Sequence, residues 1–574
     1  MSTEPTTSHG GGPQPRGRWS VVVEVLSALG VLAVTAAVVG AGIVEPVRAA
    51  VDVPPVQVEV PAAASRLVCP GPPRLATEPE PGGDVAYDPQ FDPAPGESTA
   101  TLRTVTAAPT VSGPQDEDLR TEAPGSGDLS ALGLPDQPLA PLGGDDGTVA
   151  DLTPLQQAAV LRSEPSGDAP AWVAGSVGVT TLSGDLRGLV AASCQQPAPE
   201  TWLVGGSTEI GSSTRLVLQN PGLTAATVQV QMWGPAGPVE LAGSPEYLVP
   251  AGSERAVLLE GVAAEQRRIV VHVEAAGGLV AAYLQDSALR GLVPAGVDYV
   301  VPGQAPAERQ VVTGLSVLAT EAEGADPSSL RLLAPHDAGT ARVTFLGPEG
   351  VVPLPGTDTV PLEAGAVLDV PLGGLPPGDY TVVVEAGVPV VAGVLVTRGA
   401  QVGTLGSTIG GSPLDRAWGP SVPLGASGPL ALPSGIQGRL LLAVPADPEL
   451  TGAAHVVLEM LDDEGVVLAR REVRVPTGTT LGIPFSELLM AGTASPEPAG
   501  TAPADAAPAD AATAPDGSVP GVAVVVVRTV DPRVAWGAVL TARGGDVEAD
   551  ELISVLVPVP PASRQPEVGV RLVP

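Results

Sequence analysis

Hydrophobic and polar positions alternate in the same way at three places along the chain. Val228, Val230 and Met232 are separated by Gln229 and Gln231. Ala341, Val343 and Phe345 are separated by Arg342 and Thr344, and Val456, Leu458 and Met460 by Val457 and Glu459. A period of two with a mostly polar second face predicts a strand of an antiparallel sheet buried on one side. Each strand runs into a turn that closes on glycine (Gly237, Gly350, Gly465), the residue that tolerates positive φ. Upstream of each lies a denser apolar run opened by arginine: Arg215-Leu216-Val217-Leu218, Arg331-Leu332-Leu333 and Arg439-Leu440-Leu441-Leu442. These runs stop near Pro221, Pro335 and Pro445, because proline lacks the N–H that a central strand needs.

Other landmarks recur in the same order. LVPAGSERAVLL (248–259), VPLEAGAVLDVPL (360–372) and VRVPTGTTLGIPF (473–485) read as strand, turn, strand. Segments 269–284, 380–396 and 522–540 read as β-hairpins around Gly277-Gly278, Gly387-Val388-Pro389 and Asp531-Pro532. Aromatic-led segments at Trp202, Tyr299 and Trp418 link the units. Units of about 100–120 residues with six or seven short strands have the size of an immunoglobulin-like sandwich. The predicted fold class is therefore all-β, with tandem sandwich-type repeats. A closed β-propeller-like ring is the alternative, because VGVRLVP (568–574) repeats a first-strand phrase and overlapping end strands close propellers.

A divergent unit precedes the three repeats. Arg66-Leu67-Val68-Cys69-Pro70 reads as a copy of the first strand and Gly188 to Cys194 as a copy of the last. Most of 76–170, rich in Pro, Gly, Asp and Glu, reads as an acidic insertion or disorder. The expected organisation is a cytoplasmic tail (1–18), an anchor (19–44), a linker (45–65), the divergent unit (66–200) and repeats at 201–298, 299–417 and 418–554. A Pro/Ala/Asp-rich insert occupies 495–518 of the last repeat, and 555–574 forms a closing or capping strand.

Val25 to Val44 carries no charge, and ~20 helical residues match a ~30 Å hydrocarbon core. Arg16 and Arg18 precede it, so the positive-inside rule places the N-terminus in the cytoplasm and the body outside. The run is longer than a signal-peptide core, and VRAA at 47–50 is a poor cleavage site. A single-pass anchor contacting the bilayer through 19–44 is the expectation; secretion after cleavage is the alternative. Two cysteines in an exported chain most often pair, which predicts a Cys69–Cys194 disulfide.

Composition narrows the chemistry. Aromatics are 2% of the 574 residues, so the core must be built from Val, Leu and Ala. The net charge of −35 disfavours nucleic acid as a partner. The chain has no lysine, which excludes a Schiff-base or P-loop lysine. His9, His272, His336 and His455 lack metal-ligand spacing and read as solvated positions. Asp462-Asp463-Glu464 reads as an exposed hairpin turn. Gly206-Ser207 and Gly406-Ser407 are turn residues without a nearby histidine. No catalytic, metal or cofactor-binding residue is expected, and no cofactor. Trp202 and Trp418 are the candidate sugar-stacking residues, because indole faces suit pyranose rings.

The phrase running from Trp202 through RLVLQNP, the alternating strand, VPAGS and IVVHVEAA resembles a bacterial extracellular repeat. It is similar to an actinobacterial family of single-pass, secreted-side proteins of unknown function, over roughly residues 200–400. That resemblance implies an envelope location and repeated β-domains, and it transfers no catalytic residue. The expected role is a non-catalytic, membrane-anchored structural or interaction protein of the bacterial cell envelope, with envelope proteins or cell-wall polysaccharide as partners. A cell-wall carbohydrate-binding module is the alternative.

Overall fold

The computed structural model describes residues 25–36, 56–59, 64–75, 96–107, 127–142, 148–165, 172–318, 328–399, 413–489, 521–544, 551–559 and 567–570. The chain forms two compact units, Pro61–Arg564 and a smaller one from Met1–Val60 with Gln565–Pro574.

In the smaller unit, helix α1 covers 25–36, and strands β1 (Val56–Glu59) and β35 (Glu567–Val570) pair antiparallel. No described helix is long and apolar enough to cross a membrane. The remainder of the expected anchor, 19–24 and 37–44, lies outside the described residues. Among the described residues β35 pairs with β1 alone.

The larger unit contains four β-sandwiches. The first is built from β2 (Ser65–Cys69), β3 (Ser98–Ala107), β4 (Gly127–Ala131), β5 (Leu134–Leu142), β6 (Thr148–Leu152), β7 (Ala159–Ser163), β8 (Trp172–Thr181) and β9 (Gly188–Ser193). The second has β10 (Glu200–Val204), β11 (Ser212–Asn220), β12 (Ala226–Gly234), β13 (Gly237–Val239), β14 (Glu246–Val249), β15 (Ser253–Leu258), β16 (Val270–Ala276), β17 (Ala281–Arg290) and β18 (Val293–Val300). The third has β19 (Ala307–Val317), β20 (Ser329–Leu333), β21 (Gly339–Gly347), β22 (Gly350–Val352), β23 (Val360–Leu362), β24 (Leu368–Pro371), β25 (Gly378–Gly399) and β26 (Leu414–Pro420). The fourth has β27 (Gly428–Ala431), β28 (Gln437–Ala443), β29 (Ala454–Leu461), β30 (Val467–Val475), β31 (Thr480–Pro484), β32 (Val524–Thr529), β33 (Ala535–Arg543) and β34 (Glu551–Leu556).

One topology serves all four. In the first sandwich the sheets run β2-β7-β4-β5 and β6-β3-β8-β9, and in the fourth β27-β32-β29-β30 and β31-β28-β33-β34. The second has β10-β16-β12-β13, with β14 also on β12, facing β15-β11-β17-β18. In the third, β25 is long enough to serve both sheets: its first half pairs with β19 and β21, its second half with β20 and β26. Every pairing between the described strands is antiparallel.

Expected features appear where the pattern was strongest. Val228, Val230 and Met232 are buried while Thr227 and Gln231 are exposed. The hairpin glycines have φ of +121° at Gly237, +132° at Gly350 and +85° at Gly465, values that a Cβ would strain. The arginine-led runs are β11, β20 and β28. Their leucines are buried on both sides because each sandwich also packs outward: Leu440 and Leu442 belong to one buried cluster, Leu441 to another.

Several expectations need correction. The stretch 76–170 holds β3 to β7, so its described part is sheet rather than insertion. Ser65–Cys69 occupies the position of β10, not of the arginine-led β11, and Gly188–Ser193 matches β18 rather than β17. Segments 269–284 and 522–540 are not hairpins, because their two strands enter opposite sheets; in 380–396 a single strand crosses between sheets. Period-two alternation fixes which side of a strand is buried but not which sheet it joins. Trp202 lies in a first strand, whereas Tyr299 and Trp418 lie in last strands. The insert 495–518 lies outside the described residues.

No described sheet forms a barrel or propeller blade; it is the order of sandwiches that closes. Trp202, Val204, Trp233 and Val270 of the second pack against Leu333, Val367 and Val391 of the third. Ala431, Leu461, Val524 and Val526 of the fourth pack against Val105 and Ala174 of the first. The third meets the fourth through β19 and β33, and the first meets the second around Leu75, Val217 and Tyr283.

Candidate functional site

The recurring arginine explains the recurring phrase. Arg215 Nη2 donates to the carbonyl of Leu75 in the preceding sandwich at 2.7 Å. Arg331 Nη1 donates to the carbonyls of Gly206 (2.6 Å) and Ile269 (3.2 Å) in its predecessor, while its other nitrogens fork onto Asp369. Arg439 Nη1 donates to Asp379 of the third sandwich at 2.7 Å. In the first sandwich the equivalent strand, β3, carries Arg103, which pairs with Asp463 of the fourth at 2.7 Å. Asp463 lies in the acidic turn between β29 and β30, so that turn has a partner in the first sandwich. Four equivalent side chains thus tie four successive interfaces, including the one that closes the cycle.

The last strands meet at the centre. β9, β18, β26 and β34 contact one another in cyclic order. Their polar side chains cross between them. Asp298 of β18 accepts from the backbone N–H of Trp418 (2.7 Å) and from Ser554 Oγ (2.9 Å). Ser554 Oγ in turn accepts from Ala191 N–H at 2.9 Å. Asp415 of β26 accepts from Leu189 N–H (3.1 Å) and Ile553 N–H (2.8 Å). Burial pushes the Asp415 carboxyl up to about 7 against these donors, and burial likewise raises Asp298. Gly296 permits the close approach of β18 to β26: a Cβ there would stand 2.5 Å from the Arg416 backbone nitrogen, and its φ is +98°.

Where the last strands end, the exit segments of all four sandwiches line one cavity of about 540 Å³. Its walls come from 193–196, 301–304, 421–423 and 557–559. That volume is within the ~300–1,000 Å³ of small-ligand sites. Isolated bridges Val68↔Gln195, Trp202↔Gly303 and Val312↔Ser421 hold three of the exit segments against the first strand of their own sandwich. The Cys69–Cys194 disulfide, joining residues 125 apart, adds a covalent hold beside Gln195.

The chemistry of this cavity is neutral. Val301, Val422, Val557 and Val559 with Pro302, Pro423 and Pro558 supply apolar wall; Ser193, Ser421, Gln195, Gln196 and Gln304 supply polar groups. Ser193 Oγ donates to the Val557 carbonyl, and Ser421 Oγ accepts from Gln304 N–H. Gln195 is 6% exposed, and neither its amide nitrogen nor its oxygen has a hydrogen-bond partner. Leaving one such buried polar group unpaired costs roughly 1–3 kcal/mol. A smaller cavity of about 230 Å³ adjoins it, sharing Gln195, Gln196, Pro302 and Gly303 and extending to Ala198, Glu200 and Trp202.

The two sequence-nominated tryptophans lie elsewhere and are not brought together. Trp202 is 5% exposed, its ring stacked on His272 with centroids 4.1 Å apart, and its Nε1 donates to Glu200. Trp418 is 3% exposed, lies under the Arg331 guanidinium and donates from Nε1 to Asp286 at 2.9 Å. Both rings are buried and engaged within the protein, Trp202 against His272 and Trp418 under Arg331, although Trp202 also lines the smaller cavity. His272 is buried in the stack rather than solvated, whereas His336 and His455 are exposed. No group of metal-ligating side chains occurs among the described residues. Sequence reasoning missed the exit segments, and their one signal was faint: Val301-Pro302, Val422-Pro423 and Val557-Pro558 recur at the same point of successive units.

No curated protein matches the chain. Among solved structures, a biofilm associated protein, BSP domain, is similar at 10% identity, covering 90% of this chain and 100% of that one. Its TM-score of 0.12 lends no support to any reading of the fold. The family model described as "Family of unknown function (DUF5719)" matches residues 149–486, more than half of the chain and reaching from the first sandwich into the fourth, and the chain belongs to that family.

Proposed function

We propose that this is a non-catalytic interaction protein of the bacterial cell envelope, anchored through residues 19–44 with its four sandwiches on the outer side. The observation that carries the interaction reading is the central cavity. Its neutral walls hold no acid, base or metal ligand, and the serine hydroxyls that line it are engaged in the fold. Such a wall suits reversible binding better than bond-breaking. The outward placement draws support from the Cys69–Cys194 disulfide, since such bonds persist in oxidising compartments. Equivalent ties at successive interfaces suit a part that keeps its shape while a partner binds.

The test is protease accessibility of the body in intact and in opened cells, with turnover assays of the purified chain on wall glycans and peptides. Cleavage of the body in intact cells, with no turnover, is expected. A protected body, or turnover abolished by one carboxylate substitution, would overturn the proposal.

A further inference from the structure

We propose that the central cavity and its smaller neighbour form one elongated site for an uncharged, extended peptide segment of a partner protein, with Gln195 as the residue that reads the peptide backbone. This rests on the interaction reading above and adds the ligand class.

The walls restrict what can enter. The central cavity is lined by valine and proline with serine and glutamine, and no charged side chain is among them. A charged ligand group would lose its hydration there without gaining a counter-charge. Sugar sites commonly offer an aromatic face, and the central cavity has none; in the smaller cavity Trp202 is stacked on His272 and Glu200 is engaged by Trp202 Nε1 and His272 Nε2. Small aliphatic side chains fit valine and proline walls by simple burial.

Gln195 supplies the polar half of the match. Its amide carries donors and an acceptor, none of them used within the protein. In an extended chain the N–H and C=O of one residue point to the same side, so one residue of the peptide can donate to the Gln195 amide oxygen and accept from its nitrogen. Both atoms are buried in the free protein, so binding requires the Gln195 side chain to turn about its torsions toward the cavities that the residue lines. Shape argues for length, because Gln195, Gln196, Pro302 and Gly303 are shared walls of two adjoining cavities. A ligand crossing that shared wall must be extended. The disulfide beside Gln195 and the Val68↔Gln195 bridge hold its backbone before anything binds, which lowers the ordering cost.

The experiment is calorimetric titration of the full chain in detergent with the capped peptide acetyl-Ala-Val-Pro-Ala-Val-amide and, separately, with an N-acetylglucosamine tetramer. Saturable one-to-one binding of the peptide is expected, and no binding of the sugar. Gln195→Leu should weaken the peptide at least tenfold. Gln304→Trp, which occupies the central cavity from another of its four walls, should abolish binding while the melting temperature stays within a few degrees. Absence of peptide binding, binding indifferent to both variants, or binding of the sugar in its place would overturn the proposal. Failure here leaves protease accessibility unaffected, so the envelope reading and the peptide reading can fail separately.

Discussion

Arg103 of β3 sets its Nη2 2.7 Å from Oδ1 of Asp463, in the turn between β29 and β30. This pair joins the fourth sandwich to the first. The same strand position in the other sandwiches makes the same backward reach, through Arg215, Arg331 and Arg439. The partners differ: Arg215 and Arg331 reach backbone carbonyls, Arg439 reaches Asp379, which is 11% exposed, and Arg103 reaches Asp463, which is 64% exposed. That variety sets the size of each effect.

Arg331 is the costliest of the four to remove. It is 3% exposed, and Arg331→Met would leave Asp369 and the carbonyls of Gly206 and Ile269 without their donor. Breaking one side of such a buried pair costs about 3–5 kcal/mol. Arg439 is 48% exposed but its partner Asp379 only 11%, so Arg439→Met should cost less than Arg331→Met, about 1–3 kcal/mol. Urea unfolding of the two variants side by side checks the ranking, and equal losses would contradict it.

The closing pair should be weak by itself. Asp463 is 64% exposed, so a double-mutant cycle of Arg103→Ala and Asp463→Ala should return a coupling of about 0.2–1 kcal/mol. Arg103→Ala alone should cost more than Asp463→Ala, because it also strips the fork onto Asp151.

Stability should fall as pH rises through neutrality. The Asp415 carboxyl is raised by burial from an ordinary 3.8 to about 7. A folded-state value above the unfolded one gives stability that is fully present below about 4 and lost as pH rises through about 7. Asp298 is raised in the same direction by the same cause. Urea midpoints should therefore be higher at pH 5 than at pH 8, and Asp415→Asn should flatten that slope. An unchanged slope in the variant would mean that another group carries it.

How much of this was legible beforehand depended on what period-two patterns encode. They encode a buried side, and strands such as β12, β21 and β29 follow it closely. They do not encode sheet membership, which is why β16 and β17 read as a hairpin although they lie in opposite sheets. The run Ser98 to Ala107 alternates small threonines and alanines with few large residues, so β3 was hidden in acidic, proline-rich surroundings. The cavity was hidden for another reason: its walls come from four distant exit segments, each only a few residues long. The disulfide was legible, because two cysteines leave one pairing.

That disulfide gives a local prediction. Closing a loop of 125 residues corresponds to roughly 5 kcal/mol in the chain-entropy account, an upper figure. Replacing Cys69 and Cys194 together by alanine should lower stability by about 2–5 kcal/mol. Hydrogen exchange should quicken first at β2 and at 193–196, leaving β28 and β33 protected.

The closed order of sandwiches is tested most directly by a cross-link over the closing interface. Ser176 Oγ donates to the Ala431 carbonyl at 2.7 Å although the two residues are 255 apart in sequence. In the full chain carrying Ser176→Cys and Ala431→Cys, mild oxidation should form a disulfide within one molecule, identified by peptide mapping and insensitive to dilution. An open array, with the fourth sandwich away from the first, would give only free thiols or bridges between molecules, and that result would contradict the closed order.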